Sequence, residues 1–263
     1  MRTLARLNLT PVKGLALHHP RQLRVTEAGL DLDRRFYLVD EAGRIVSGPK
    51  FGPLVQITPD YDARAETLTQ TFPDGSQIAG DVSTLGPAET TDFFGRQVAA
   101  HQVEGPWARA FSGFVGKPMR LLRCDRDGDG IDVLPLTLVS RASVRDLAER
   151  GRHRGELDSR RFRINLELDG CEPYDEDSWD EQTITVGEVA IELSGQIPRC
   201  VVTTQDPETG VKDWNTLTQI AKLRPRIPDG GLPFGMYGRV VRPGTLAVGD
   251  QVAAPDLGVP TRA

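Results

Sequence analysis

Tyr37-Leu-Val-Asp-Glu-Ala-Gly-Arg-Ile-Val46 consists of two short β-prone runs around a turn. Tyr37-Leu-Val39 and Ile45-Val46 carry the aromatic and branched side chains that fit a pleated sheet. Asp40-Glu-Ala-Gly-Arg44, between them, has the carboxylate and glycine of a hairpin connection. The same punctuation recurs outward: Pro73-Asp-Gly75 follows Thr69-Gln-Thr-Phe72. Leu4–Leu9, Gln22–Thr26, Arg35–Val39, Leu54–Thr58 and Thr67–Phe72 read as strands. The chain has 27 Gly and 19 Pro among 263 residues, so these strands must be short. Even spacing of this kind over roughly 90 residues predicts a barrel or sandwich.

Helices enter later. Pro106–Val115 spaces Trp107, Ala110, Phe111 and Phe114 along one face. Ser143–Arg150 is entered from Ser140, a capping residue, and Leu217–Leu223 is a third short helix. Met119–Arg123, Thr137–Val139, Phe162–Leu168, Thr183–Leu193, Val201–Thr204 and Met236–Val241 read as strands between them. In Val240–Val252, Pro243-Gly244 joins two further short strands, and the tail after Pro255 is expected to be loose. The fold class is β-rich α+β, divided into units of 1–102 and 103–255.

Composition narrows the function. With 38% hydrophobic and 26% charged residues the chain can bury a core, and disorder is not indicated. A net charge of −5 argues against nucleic-acid binding through bulk positive charge. Apolar runs are too short to span a bilayer, and the opening residues lack a secretory h-region, so a cytoplasmic protein is expected. Cys124, Cys171 and Cys200 are too few and too scattered for a disulfide framework or a zinc site. His18, His19, His101 and His153 have no metal-ligand spacing, and GxSxG, Walker A, HExxH and GxGxxG are absent.

Five stretches can carry chemistry. In Gln196–Gly210, Cys200 follows Arg199, and a neighbouring cation favours the metal-binding thiolate. The other reading is a buried, inert cysteine. In Ser159–Leu166, strand alternation would put Arg161, Arg163 and Asn165 on one face and Phe162, Ile164 and Leu166 on the other. That polar face suits a phosphate or carboxylate; the other reading is a solvated edge strand. Lys13 in Thr10–Gly14 and Arg35 in Asp33–Tyr37 are basic points at strand ends. Asp125-Arg-Asp-Gly-Asp-Gly130 opens like a calcium loop, but its twelfth position is Leu136 instead of the required Glu, so it reads as a turn. Tyr174–Glu181 is an acidic loop that Trp179 would anchor to the barrel, with acid/base work as its other reading.

Taken in order, these segments resemble the MOSC family, in particular the amidoxime-reducing proteins within it. The likeness spans nearly the whole chain. PVKGL (11–15) and DRRFYLV (33–39) resemble an N-terminal β-barrel domain. RFRINLELDG (161–170), PYDEDSWDE (173–181), PRCVVTTQDPETG (198–210), FGMYGRVVRPG (234–244) and LAVGDQV (246–252) resemble the MOSC domain itself. The resemblance implies two barrel-like domains with a molybdenum–molybdopterin cofactor in the cleft between them. It implies Cys200 as metal ligand and Lys13, Arg35, Asp132, Arg163, Asn165, Arg199 and Tyr237 around the pterin and its phosphate. Three departures from relatives bear on the substrate pocket. Asp132-Val-Leu-Pro135 is less polar, Ile197-Pro198 replaces a serine before Arg199, and Gly14 follows Lys13 where some relatives have serine.

The resemblance further implies a reductase of N-hydroxylated or N-oxide compounds. No four-cysteine ferredoxin set is present, so a separate protein of ferredoxin, flavoprotein or cytochrome type would donate the electrons. No nucleic acid or membrane partner is expected. The alternative is a sulfur carrier with a persulfide on Cys200, since the family also travels with pyridoxal-phosphate sulfurases; no pyridoxal-binding lysine motif is evident here. A third reading is a cofactor-transfer protein without turnover.

Overall fold

The computed structural model describes residues 1–46 and 51–255, so the tail after Pro255 lies outside the described residues. Strand β1 (Thr3–Leu7) leads into a loop carrying Lys13 and then the hairpin β2 (Gln22–Thr26) and β3 (Gly29–Leu30). β4 (Phe36–Asp40) follows, and Asp40 closes its turn by accepting from the Ala42 and Arg44 amides. The meander β5 (Thr58–Asp62), β6 (Thr67–Thr71) and β7 (Gln77–Asp81) forms one small sheet. The long hairpin β8 (Leu85–Phe93) and β9 (Arg96–Val103) joins β10 (Met119–Cys124) and β4 in a second. Helix α1 (Trp107–Val115) supplies Trp107 and Phe111 to the core between them, with Phe36, Leu38, Leu68 and Leu121.

The rest of the chain winds a barrel. Its seven strands run β1, β12 (Leu166–Asp169), β11 (Leu136–Ser140), β15 (Pro233–Arg242), β14 (Val189–Pro198), β13 (Thr183–Val186) and β17 (Val252–Ala253). The Leu4 amide donates to Asp250 at 2.8 Å and the Val252 amide to Arg2 at 2.9 Å, which brings the ends of the sheet together. Inward Leu4, Leu7, Leu138, Leu166, Ile184, Ile191 and Met236 fill the interior, and Trp179 packs among them from its own acidic turn. Burying each large aliphatic chain contributes about 1.5–3 kcal/mol. Strand β16 (Gly244–Ala247) pairs with β2, so the last strands stitch the barrel to the first part of the chain. Helices α2 (Arg141–Arg150) and α3 (Thr216–Leu223) pack outside; Ser140 Oγ caps α2 by accepting from the Ser143 amide.

Several expected strands are turns. Gly52–Gln56 is a 3-10 turn with Pro53 in its first residues, and the strand begins only at Thr58. Val201–Thr204 is likewise a 3-10 turn. Ser159–Phe162 is a third, started by Asp158 accepting from the Arg160 amide and ended by Arg163 at φ +52°. Strand alternation therefore does not place Arg161, Arg163 and Asn165. Thr183–Leu193 is a hairpin that turns at Gly187, φ +54°.

Candidate functional site

A cleft of about 410 Å³ opens between the barrel and the N-terminal sheets. The loop after β1 supplies Lys13 and Gly14, the turn before β4 supplies Arg34, and the tip of the β8–β9 hairpin supplies Phe94. Asp132, Val133 and Leu134 come from the loop before β11, and Arg161, Arg163 and Asn165 from the turn before β12. Arg199, Cys200 and Val202 follow β14, and Tyr237 stands on β15. Cys200 is exposed, immediately before the Val201–Thr204 turn, and its carbonyl accepts from the Thr203 amide and hydroxyl at 3.2 and 3.0 Å.

The lining is cationic: Lys13, Arg34, Arg161, Arg163 and Arg199 share it with one carboxylate, Asp132, while Arg34 pairs with buried Asp33 and Arg161 with Asp213 behind the cleft wall. Lys13 Nζ donates to the Gly130 carbonyl at 2.8 Å and pairs with the half-exposed Asp132 at 2.7 Å. Burial lowers the Lys13 pKa, with the Asp132 charge partly opposing. Arg163 takes the left-handed region that non-glycine residues rarely occupy, and that turn directs Nη2 to the Leu15 carbonyl at 2.7 Å. Burial, and then the nearby Arg34 charge, push the Arg163 pKa down to about 10, so it stays charged at neutral pH. Arg199 donates from Nε to the Phe234 carbonyl at 2.7 Å and from Nη1 to the Phe162 carbonyl at 3.0 Å. Burial pushes the Arg199 pKa to about 10 as well, and its Nη2 is buried with no hydrogen-bond partner. A buried cation without a full partner set is costly, so an anion in this cleft would relieve it.

The structure gathers Lys13, Asp132, Arg163, Asn165, Arg199, Cys200 and Tyr237 on one cleft. It does not bring Arg35 there. Arg35 pairs with Asp127 at 3.0 Å behind the site, and its neighbour Arg34 takes the cleft position. The cause is local: Arg34 has φ +53°, which rotates it out of the alternation that a strand from Arg35 would impose. Asn165 lines the cleft but is a joint. It accepts from the Thr137 hydroxyl at 2.9 Å and donates to Asp33 at 3.0 Å, both inside the protein. Arg161 is a strut: it grips Asp213 with two bonds and the Thr203 carbonyl with a third, bracing the turn that follows Cys200. The Asp125–Gly130 carboxylates are already engaged: Asp125 with the His101 imidazole, Asp127 with Arg35 and Asp129 with Arg96. Sequence reasoning missed Arg34, which the doubled arginine signalled, and Phe94, which nothing in the local pattern signalled.

Residues 1–118 match the MOSC N-terminal beta barrel domain, and residues 125–253 match the MOSC domain. The chain belongs to the MOSC family. It is 28% identical to human mitochondrial amidoxime-reducing component 1, over 95% of this chain and 82% of that protein. It is 26% identical to human mitochondrial amidoxime reducing component 2 over the same shares. It is also 27% identical to zebrafish (Danio rerio) molybdenum cofactor sulfurase, over 89% of this chain and 31% of that longer protein. In this MOSC chain the cleft runs along the seam of the two matched regions: Lys13 and Arg34 come from the first, and the other cleft residues that resemble the family from the second. Among the described residues no helix is long and apolar enough to cross a membrane.

Proposed function

We propose that this chain is a reductase that holds a molybdenum–molybdopterin cofactor in the cationic cleft, with Cys200 as the thiolate on the metal. One observation carries this reading: an exposed thiol shares a cleft with five cations and one carboxylate, and one of those cations has a buried nitrogen with no partner. That donor set fits an anionic group with a soft metal. Lys13, Arg34, Arg163 and Arg199 would hold the phosphate and pterin. When bound, the group supplies a two-electron redox centre. Arg161 holds the turn after Cys200 through the Thr203 carbonyl, and Arg199, the residue before Cys200, is tied to β15 through the Phe234 carbonyl. Tyr237 keeps its phenolic proton at neutral pH, because burial raises its pKa, and so lines the cleft as a hydrogen-bond donor.

The amidoxime-reducing relatives point to an N-hydroxylated substrate. Reduction of an N-hydroxyamidine takes two electrons and two protons and yields the amidine and water. A separate ferredoxin, flavoprotein or cytochrome would deliver the electrons. The molybdenum cofactor sulfurase match and the exposure of Cys200 favour one other reading, a persulfide carrier.

The test is protein made in a host competent for the cofactor. Molybdenum in proportion to the chain, with form-A fluorescence after oxidation, is the expected result, together with loss of amidoxime reduction in Cys200→Ala. Undiminished turnover in that variant overturns the ligand role. Molybdenum-free protein with labile sulfur on Cys200 selects the carrier.

A further inference from the structure

The β8–β9 hairpin ends in a two-residue turn, because Phe93 pairs with Arg96 and only Phe94 and Gly95 lie between them. Both turn residues have positive φ, +54° for Phe94 and +92° for Gly95. This is the twist-matched turn whose first position favours Asn, Asp or Gly. A phenylalanine there is strained by about 1–3 kcal/mol. Its side chain recovers little of that by burial, since it is 71% exposed. A strained and exposed aromatic is unfavourable twice over in the free protein.

The turn is nonetheless held in place. Asp92 accepts from the Gly95 amide at 2.7 Å. Arg96 reaches from the next residue to the Asp129 and Ile131 carbonyls, which ties the tip to the loop that carries Asp132. The Phe93 ring is buried and lies within cation–π range of both Lys13 and Arg96, at 5.4 and 5.7 Å. Phe94 is thereby fixed where it lines the same cleft as Cys200. Exposed Val133 and half-buried Leu134 line the cleft as well, so it carries apolar surface beside its cations.

We propose that Phe94 is a specificity-determining residue that selects N-hydroxylated substrates bearing an aryl group, by giving the ring a face to stack on at the cleft rim. This rests on the reductase reading above. The cationic groups are engaged by the cofactor in that reading, which leaves the apolar lip for the substrate's own substituent. Stacking one ring on another contributes beyond the area it buries.

Two substrates with one head group isolate the effect: benzamidoxime and acetamidoxime, phenyl against methyl on the same N-hydroxyamidine. The variant is Phe94→Asn, which suits the turn. In cofactor-loaded protein, Phe94→Asn is expected to raise the benzamidoxime KM roughly 5-fold to 15-fold. The acetamidoxime KM should stay within about twofold, kcat should hold for both, and Tm should rise as strain is relieved. Equal change for both substrates, or none for either, overturns the proposal. Benzamidoxime binding is also followed by calorimetry, which needs no turnover. Benzamidoxime that binds the wild type without being reduced overturns the reductase reading alone, and the Phe94 contact is then decided by whether Phe94→Asn weakens that binding.

Discussion

Gly52 and Gly210 meet backbone to backbone across the seam between the two halves of the chain. A Cβ on Gly52 would fall 2.2 Å from the Gly210 carbonyl oxygen, and one on Gly210 would fall 2.0 Å from that of Gly52. Gly210 also has φ +72°. It lies in the loop that begins just after the Cys200 turn and runs on to Asp213, the residue that Arg161 grips. The seam therefore fixes the wall of the cleft as well as the fold.

Gly210→Ala has no room and no comfortable backbone. Overpacking and left-handed strain together should cost roughly 3 kcal/mol. The urea midpoint is expected to fall with the slope unchanged. A midpoint equal to wild type would show that the two backbones part without penalty.

The neighbouring arginines 34 and 35 face different ways, and that makes a paired test. Arg34 lines the cleft, and Arg35 pairs with Asp127 outside it. Arg34→Gln should lower molybdenum retention in protein from a cofactor-competent host by roughly tenfold, about the effect of one charge-assisted hydrogen bond. Arg35→Gln should leave retention near wild type. Equal losses in both variants would place Arg35 functionally at the site despite its geometry.

Glu176 is buried at the start of α2, where one carboxylate oxygen accepts from the Ser140 amide at 3.1 Å and the Ser143 hydroxyl at 2.7 Å. The other oxygen is buried with no hydrogen-bond partner. Burial, and then the Asp177 charge, raise its pKa above the ordinary 4.5. The folded state thus holds this proton more tightly than the unfolded chain. Below 4.5 both states are protonated and burial of the acid carries no ionisation penalty. As pH rises from there through the folded pKa, the unfolded chain ionises first and stability is lost. Glu176→Gln keeps the acceptor and cannot ionise. It should be more stable than wild type at pH 7, with the difference closing as pH falls towards 4. Parallel stability curves for the two proteins would count against this account.

Elements with strong local signals were legible in the sequence. Gln22–Thr26 is the strand its pattern predicts, and Ser140 caps the helix it was expected to open. Trp179 anchors the acidic turn in the barrel core, as its place among carboxylates implied. The misread segments are rich in residues that suit strands. Leu54–Gln56 and Phe162–Arg163 are bent by a proline, an Asp cap or a positive φ, and Val201–Thr204 turns where the Thr203 amide and hydroxyl both return to the Cys200 carbonyl. Local propensity is a weak prior where a tertiary contact decides the backbone.

By itself the sequence determined the β-rich class, the pairing of a thiol with an arginine at Arg199-Cys200, and the family to which the ordered motifs belong. The tertiary structure alone decided that Arg34 and not Arg35 enters the cleft, that Asn165 is a joint, and that Phe94 lines the same cleft as Cys200. The physical reason is range. Composition and periodicity report which residues can be buried. Which of two adjacent arginines enters the cleft turns on one backbone torsion at Arg34, and the Arg163 carbonyl that its guanidinium then meets lies 129 residues away.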